Sequence, residues 1–538
     1  MRERLLLHGT AALLVVAVLA PLATPGYVLA YDMVFVPRQP LRWDLIAPAD
    51  ALPRAVPLDT LVALVTQVVP GWLVQKVVLA AIVYAAAVGA GRLVPAERTL
   101  TRLVAAIGYV WTPYLAERLL IGHWGLLLCY AALPWLVAAA KDRDLPRLVL
   151  AAAVASVTPT GGVIAFATVC VLVLSRRRAD LLAVAATAAL NAPWLLAALA
   201  TSAGGRSDPA GVAAFAARGE NWSGPLGALA GTGGIWNAQT APDSRGSPLV
   251  PLVTVLLLAL AVAGVSVLRR RWPPGFATRL GLLGLASLVL AAAGTWPGAP
   301  VLEWLVGHVP GAGLLRDGQK LLIPYTLVLV VCAALGAERL NRNAVLVAAA
   351  LLPIALMPDL ALGGAGRLRP VEYPRDWDVV AARIEAAPGP VVSLPFGAFR
   401  AYAWNRRHVA IDPAPRYLDA PVLVDDTLRV GDLVVAGENP RAAEIRRQLV
   451  AGQPLTGVRW VLVQHDAGGE APAAALAGLQ LVHSGPTLSL YENPGTVSAA
   501  RTDWPLPLAG HLLALAVVLV AGWLRLGRGA LLKSRSRP

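Results

Sequence analysis

The chain has 538 residues, 57% of them hydrophobic and 14% charged, with a mean hydropathy of +0.62 and a formal charge of +14. So apolar a composition excludes a soluble globular protein and fits a polytopic membrane protein. The basic excess is not a nucleic-acid surface, because the arginines collect in short clusters between apolar runs ("RRR" at 176–178, "RRRW" at 269–272, "RLNRN" at 339–343), the mark of cytoplasmic loops. Cys129, Cys170 and Cys332 all fall inside apolar runs without metal-ligand spacing, which gives no support to zinc, redox or disulfide chemistry.

A helix needs about 20 apolar residues to cross a bilayer. In chain order, spans are expected over 5–25, 72–91, 103–115, 124–140, 147–158, 161–174, 181–200, 249–268, 280–296, 321–337, 344–357 and 506–526. If "MRER" at the start is cytoplasmic, alternation puts the basic segments at 91–102, 141–147, 175–178, 269–272 and 338–343 and the tail on that same side. The long apolar run 147–174 is interrupted by "TPTGG" at 158–162 and reads as one span or two; the arginine clusters favour two. The first run is too long for a simple signal peptide and reads as a retained helix. The expectation is a polytopic α-helical membrane protein of about 12 transmembrane helices, with both termini cytoplasmic.

The opposite side then carries the outer loops 26–71 and 201–248 and the segment 358–505. In that last segment the pattern changes from continuous apolar runs to short strands and amphipathic helices. "PVVSLPF" at 390–396, "GVRWVLVQ" at 457–464, "LQLVHSG" at 479–485 and "LSLYEN" at 488–493 read as strands, the last two as a hairpin around Gly485-Pro486. Residues 376–387 and 439–450 read as helices, the second opened by Asn439 at the N-cap and Pro440 at N1. The domains expected are a membrane unit, 1–357, an extracytoplasmic α/β domain, 358–505, and a last span with a basic cytoplasmic tail, 506–538.

The chemistry offered on the outer side is concentrated in four places. Asp32 follows the first span. "PYLAERLLIGHW" at 113–124 holds Glu117, Arg118 and His123; "LVQKVV" at 73–78 holds Gln75 and Lys76; "LLRDGQKLL" at 314–322 holds Arg316, Asp317, Gln319 and Lys320. Lysine occurs only at 76, 141, 320 and 533. The two on the outer side run against the usual loop bias, and a phosphate would account for them: arginine offers a bidentate fork and lysine a point charge to phosphoryl oxygens. Structural readings stand beside these. Asp32 reads equally as a solvated helix-end residue, Lys76 and Lys320 as cations snorkelling to phospholipid headgroups, and His123 beside Trp124 as part of an interfacial aromatic belt. "GTGGIW" at 231–236 lacks the strand and helix context of a phosphate loop and reads as a flexible outer loop. "WNRRHVAIDPAPRYLDA" at 404–420 concentrates charge and aromatics, as either a glycan-facing surface or a solvated loop.

The order of parts, with "YDMVFVPRQP", "ERLLIGHWGLLLCYAALPW", "GAGLLRDGQKLLIPY" and "WDVVAARIEAAPGPVVSLPFGAFRAYAWNRRHVAIDP", resembles the GT-C superfamily of membrane glycosyltransferases. It is similar to actinobacterial membrane proteins, to the membrane part of mycobacterial α-(1→3)-arabinofuranosyltransferases and to YfhO-like proteins. What the resemblance implies is transfer of a sugar from a polyprenyl-phosphate donor to a cell-envelope glycan or lipid acceptor, with inversion, at the outer face of a bacterial plasma membrane. It places a catalytic acid in the first outer loop, where Asp32 stands, as general base on the acceptor hydroxyl. Arg118, Arg316 and Lys320, then Lys76, are the candidates to bind the donor phosphate, with Glu117, His123, Asp317, Gln319 and Tyr31 in support. Many GT-C members carry paired acids in this loop, whereas Asp32 is flanked by Tyr31 and Met33; this names no metal ligand and leaves a divalent cation open. The partners implied are the lipid-linked sugar, the glycan acceptor and membrane lipids, with no nucleic acid. The alternatives are a lipid or lipid-linked glycan flippase, against which the almost pure Ala, Leu and Val centres of the spans argue, and a non-catalytic envelope-assembly scaffold.

Overall fold

The computed structural model describes residues 1–295, 297–495, 497 and 503–534, with side chains as far as 527. The end of the expected span at 296, part of the stretch before the last span (496, 498–502) and the tail 535–538 lie outside the described residues.

Among the described residues six helices are long and apolar enough to cross a membrane by themselves: Arg2–Ala23, Gly71–Leu93, Trp124–Asp142, Val250–Arg271, Gly318–Arg339 and Pro505–Gly527. The count reaches eight if two bent pairs, Arg178–Ala189 with Ala192–Ala200 (45°) and Asn343–Leu356 with Pro358–Gly366 (66°), are each one span. Leu145–Ala155, Pro159–Val173 and Phe276–Ala292 are apolar but shorter. The expected span 103–115 is divided. Its first part is the helix Thr99–Val110, and after Trp111 the Thr112 hydroxyl accepts from Leu115 N and caps a new helix, Pro113–Leu120. Proline at N1 is what makes the break, since its ring disfavours helical geometry in the residue before it. The same device separates Leu145–Ala155 from Pro159–Val173, where Thr158 is the capping residue. The run 147–174 is therefore two helices rather than one.

We number the helices that matter below α1 (Arg2–Leu19), α2 (Gly71–Leu93), α3 (Thr99–Val110), α4 (Pro113–Leu120), α5 (Trp124–Asp142), α6 (Val250–Arg271), α7 (Ile323–Arg339) and α8 (Asn343–Leu356). Helix α7 is the centre of the bundle, with almost every residue from Ile323 to Glu338 buried. It packs on α6 through glycines: a Cβ on Gly264 would lie 1.8 Å from the Cys332 carbonyl oxygen, and one on Gly336 would lie 1.9 Å from that of Leu260. Within a membrane, where apolar burial gives little drive between helices, such backbone approach supplies the packing.

Residues beyond 375 contain a five-stranded sheet in the order β4-β1-β7-β9-β8, from β1 (Val391–Leu394), β4 (Val422–Leu423), β7 (Trp460–Gln464), β8 (Gln480–Ser484) and β9 (Leu488–Glu492). Strand β1 runs parallel to β4 and β7, and β7, β9 and β8 are antiparallel. Asn439 caps the helix Pro440–Val450 by accepting from Arg441 N and Ala442 N. Two small pairs complete the region: β2 (Phe399–Arg400) with β3 (Ala410–Ile411), and β5 (Leu428–Val430) with β6 (Leu433–Val435).

The loop that follows α1 is tied into this sheet region. Tyr31 N donates to Val409 O at 2.7 Å and Ile411 N to Tyr31 O at 2.8 Å, which adds the loop to the edge of β3. Tyr27 pairs likewise with Val371. Behind β3 a fully buried Asp412 accepts from Arg400 (2.9 Å), Ser393 (2.5 Å), Gln464 (2.9 Å) and Ala414 N (2.9 Å). With every lone pair engaged, this buried acid cross-links four segments instead of destabilising them.

Candidate functional site

Asp32 lies in a tight turn closed by Ala30 N to Met33 O (3.2 Å) and Met33 N to Ala30 O (2.9 Å), with Tyr31 at φ +44°. A bulky residue in left-handed geometry is strained, and surrounding contacts must hold it there. They are visible: besides its two bonds to β3, Tyr31 Oη donates to Gln239 Oε1 at 2.7 Å, and Asp32 N donates to Ile121 O at 3.2 Å. The turn rests on Gly122 (φ +82°), where a Cβ would come within 2.3 Å of Met33 N. Only glycine serves at 122, by conformation and by space.

From Asp32 a chain of polar side chains runs into the protein. His123 Nε2 is 2.9 Å from Asp32 Oδ2, and His123 Nδ1 is 2.8 Å from Arg118 Nη1. A guanidinium N–H can only donate, so Nδ1 accepts, the proton sits on Nε2, and His123 donates to Asp32. Arg118, wholly buried, also forks onto Asp317 (3.0 Å and 3.0 Å) and bonds the Gln319 side-chain oxygen. All its terminal N–H groups are thus engaged, and its buried Nε has no hydrogen-bond partner. Lys320 Nζ completes the group 3.4 Å from Asp317 Oδ2.

Asp32 and Lys320 are the accessible members. Each sits deep among protein atoms, yet their side chains keep 45% and 29% exposure, against 12% for His123 and none for Arg118. Among the described residues Asp32 Oδ1 has no hydrogen-bond partner, so one carboxylate oxygen is held and the other is free. Burial alone would raise the Asp32 pKa, but the His123 hydrogen bond and the charges of Lys320 and Arg416 outweigh it and keep the group below its ordinary value. Burial, then the Lys320 charge, pushes His123 down against the pull of Asp32, so the imidazole is neutral at pH 7. Asp317 is held well below the usual carboxylate range, because Arg118 and Lys320 overcome its burial.

The network continues on the far side of Arg118. Gln319 Nε2 donates to Glu117 Oε2 at 2.8 Å, as does Ile235 N at 3.2 Å. Among the described residues Glu117 Oε1 receives no donor and faces Glu220, which accepts from Gly234 N (2.7 Å) and Arg245 Nε (2.9 Å). Burial and then the Glu220 charge push the Glu117 pKa well up, whereas the bond from Glu117 and the Arg245 charge overcome burial and hold Glu220 down. Glu117 is therefore the protonated partner, giving its proton to an ionised Glu220. Beyond Arg245 an apolar groove enclosing about 960 Å³ of empty space runs between α3, α6, α7 and α8, with Leu257, Val330 and Pro353 on its walls and Thr112 and Arg245 at its polar end.

Of the residues singled out from sequence, Asp32, Glu117, Arg118, His123, Asp317, Gln319 and Lys320 form this one cluster, with Tyr31 at its edge. Arg316 points away, bonding Glu438 at 3.0 Å and stacking over Phe215. Lys76 is elsewhere: it bonds the Thr24 carbonyl and stands 4.9 Å over Trp72, while its neighbour Gln75 is the buried residue, gripping Val28 N and O (2.9 Å and 2.7 Å). Arg118 is spent on internal partners, so within the cluster the accessible cation is Lys320. Glu220, Arg245 and Arg416 were not foreseen. The "GTGGIW" segment, expected to be a flexible loop, instead supplies backbone N–H groups to two buried carboxyls, and its glycines were the available signal: a Cβ on Gly233 would touch both acids. Among the described residues no three His, Cys, Asp or Glu side chains gather to hold a metal ion. The acids do not fit a divalent cation either, since Asp32 is paired with His123 and Asp317 with Arg118 and Lys320.

No family model and no curated protein matches the sequence. The fold is similar to that of the mycobacterial arabinofuranosyltransferase AftD solved by single-particle cryo-EM, with a TM-score of 0.58 and 16% identity over 92% of this chain and 40% of that one. A mutant form of the same enzyme matches with a TM-score of 0.55 and 17% identity, over 92% and 42% of the two chains. The chain thus spans well under half the length of the structures it matches. The likeness is one of fold, and it agrees with the GT-C resemblance carried by the sequence.

Proposed function

We propose that this membrane protein is a GT-C-type glycosyltransferase that moves a sugar from a polyprenyl phosphate to a cell-envelope glycan or lipid acceptor at the outer face of the membrane. The observation that carries the reading is Asp32: a carboxylate in the first loop after α1, its side chain 45% exposed, with one oxygen fixed by His123 and the other free. Such a group suits a general base, since it can take the proton of an acceptor hydroxyl placed within hydrogen-bond reach.

In this mechanism the acceptor hydroxyl loses its proton to Asp32 Oδ1 as its oxygen attacks the anomeric carbon of the donor. The bond from that carbon to the phosphate oxygen breaks on the opposite face, so the configuration inverts and polyprenyl phosphate leaves. Lys320, the exposed cation beside Asp317, stabilises the charge that grows on the leaving phosphate. Arg118 acts one layer back, orienting His123 and Asp317. Arg316 and Lys76 have no part in the step. The apolar groove below Arg245 gives an isoprenoid chain a place to lie among α3, α6, α7 and α8.

The test uses protein in nanodiscs with a panel of radiolabelled polyprenyl-phosphate sugars and envelope glycan acceptors. Transfer that is lost in a folded Asp32→Asn supports the reading; equal transfer by both proteins removes Asp32 from the chemistry.

A further inference from the structure

The motif "NRRH" at 405–408 meets the segment "GRLR" at 366–369, and the two line a pocket with about 440 Å³ of empty space. Val28 and Leu29 form its back wall, and Arg367, Arg369 and Arg406 its charged lining beside His408. The charge there is not balanced. Arg367 bonds the Ala241 carbonyl (2.9 Å) and Asp243 (2.6 Å), an acid that is itself 90% exposed. Arg369 uses only Nε, on the Gly366 carbonyl at 2.8 Å. Arg406 has no side-chain partner among the described residues; the adjacent Arg407 is the one that pairs, with Asp466.

The backbone on both sides is held in a rare form to make this lining. Arg406 and Arg407 have φ of +54° and +59°, and Leu362, Gly363, Gly364, Ala365 and Gly366 are all left-handed, at φ between +54° and +77°. Non-glycine residues in this region cost energy and persist where surrounding structure enforces them, commonly at binding sites. The Arg369 guanidinium lies against Gly366, where a Cβ would come within 2.8 Å of Nη2. Asn405, buried, anchors the motif by donating to the carbonyls of Leu29 (3.1 Å) and His408 (2.9 Å).

From these features we infer that the pocket is an oxyanion-binding site that takes a phosphate or phosphodiester group on the guanidinium groups of Arg369 and Arg406, with Arg367 behind them. Guanidinium forks match phosphoryl oxygens in geometry and in charge. The site is separate from Lys320 and does not depend on the transfer reading. Leu29 on its wall is three residues from Asp32, at most about 11 Å along the chain.

Binding of ³²P-labelled orthophosphate to the full chain in amphipol tests the proposal. Wild type is expected to bind saturably, and Arg406→Gln and Arg369→Gln, both exposed and so neutral for folding, are expected to weaken binding at least about tenfold, as loss of a charge-assisted bond does. Arg429→Gln, an exposed arginine on β5, is expected to leave it unchanged. Absence of saturable binding overturns the proposal. So does binding that survives both pocket variants, or that falls equally with Arg429→Gln, or that is lost only with Lys320→Gln. The same measurement in phosphatidylglycerol nanodiscs separates the sources: occlusion of the site identifies a lipid headgroup as occupant, and unchanged binding a water-borne phosphate.

Discussion

Glu117 and Glu220 face each other in the same buried network, yet their amide variants are expected to behave oppositely. Glu117 already carries the shared proton. In Glu117→Gln the amide oxygen takes the place of Oε2, accepting from Ile235 N and Gln319, and the amide nitrogen takes the place of Oε1, donating to Glu220. Every bond has a counterpart, and the expected cost is within about 1 kcal/mol. Glu220→Gln removes the ionised member instead. Arg245, whose side chain is 9% exposed, loses its counter-ion, and Gly234 N keeps only a neutral acceptor. Removing one partner of a buried ion pair costs about 3–5 kcal/mol, because the remaining charge stays buried and uncompensated. Unfolding of the two variants and wild type, followed by tryptophan fluorescence in one detergent, measures the difference directly. Equal losses in the two variants would refute the assignment of the proton to Glu117, and a benign Glu220→Gln would refute the pairing with Arg245.

Other outcomes follow from the same geometry. Gly122→Ala is expected to cost about 2 kcal/mol or more, through a forbidden φ and a clash with the Met33 backbone, and to lower any transfer activity by displacing Asp32; thermal unfolding with an activity assay reads both. Asp317→Asn leaves Arg118 buried without its forked partner and is expected to destabilise by about 3 kcal/mol. The pKa values of His123 and Asp317 are both depressed, from 6.5 and 3.8. Their contributions to stability are therefore complete above those unfolded-state values and are lost as pH falls through the lower folded ones. The difference in unfolding midpoint between wild type and His123→Gln is expected to be level above about pH 6.5 and to shift against wild type as pH falls below it.

Much of this site could be read from charge placed where charge is costly. Asp32, Arg118, Asp317 and Lys320 stand at the ends of apolar runs, and each proved to need a partner. Their convergence could not be read, because it depends on how α4, α5 and the start of α7 pack, and no local pattern encodes that. The same gap hid the role of Arg118, which sequence offers as a phosphate ligand and the fold commits to His123, Asp317 and Gln319. Glu220 was missed because its partners, Gly234 N, Arg245 and Glu117, meet it only through the packing of segments that no local pattern joins. The strands of the sheet were legible from alternation bounded by turns, and the Pro440 helix from its cap. The span over 103–115 was misjudged by hydropathy although Pro113 marks the break. The left-handed turn at 362–366 has only its paired glycines as a trace.

The central claim is that Asp32 performs chemistry rather than holding structure, and its half-exposed side chain makes the two separable. The decisive measurement is transfer of radiolabel from a polyprenyl-phosphate sugar to an envelope glycan by wild type and Asp32→Asn in identical nanodiscs, with unfolding midpoints taken on the same samples. The account predicts transfer by wild type and its loss in a variant that remains folded. Undiminished transfer by a folded Asp32→Asn would contradict it.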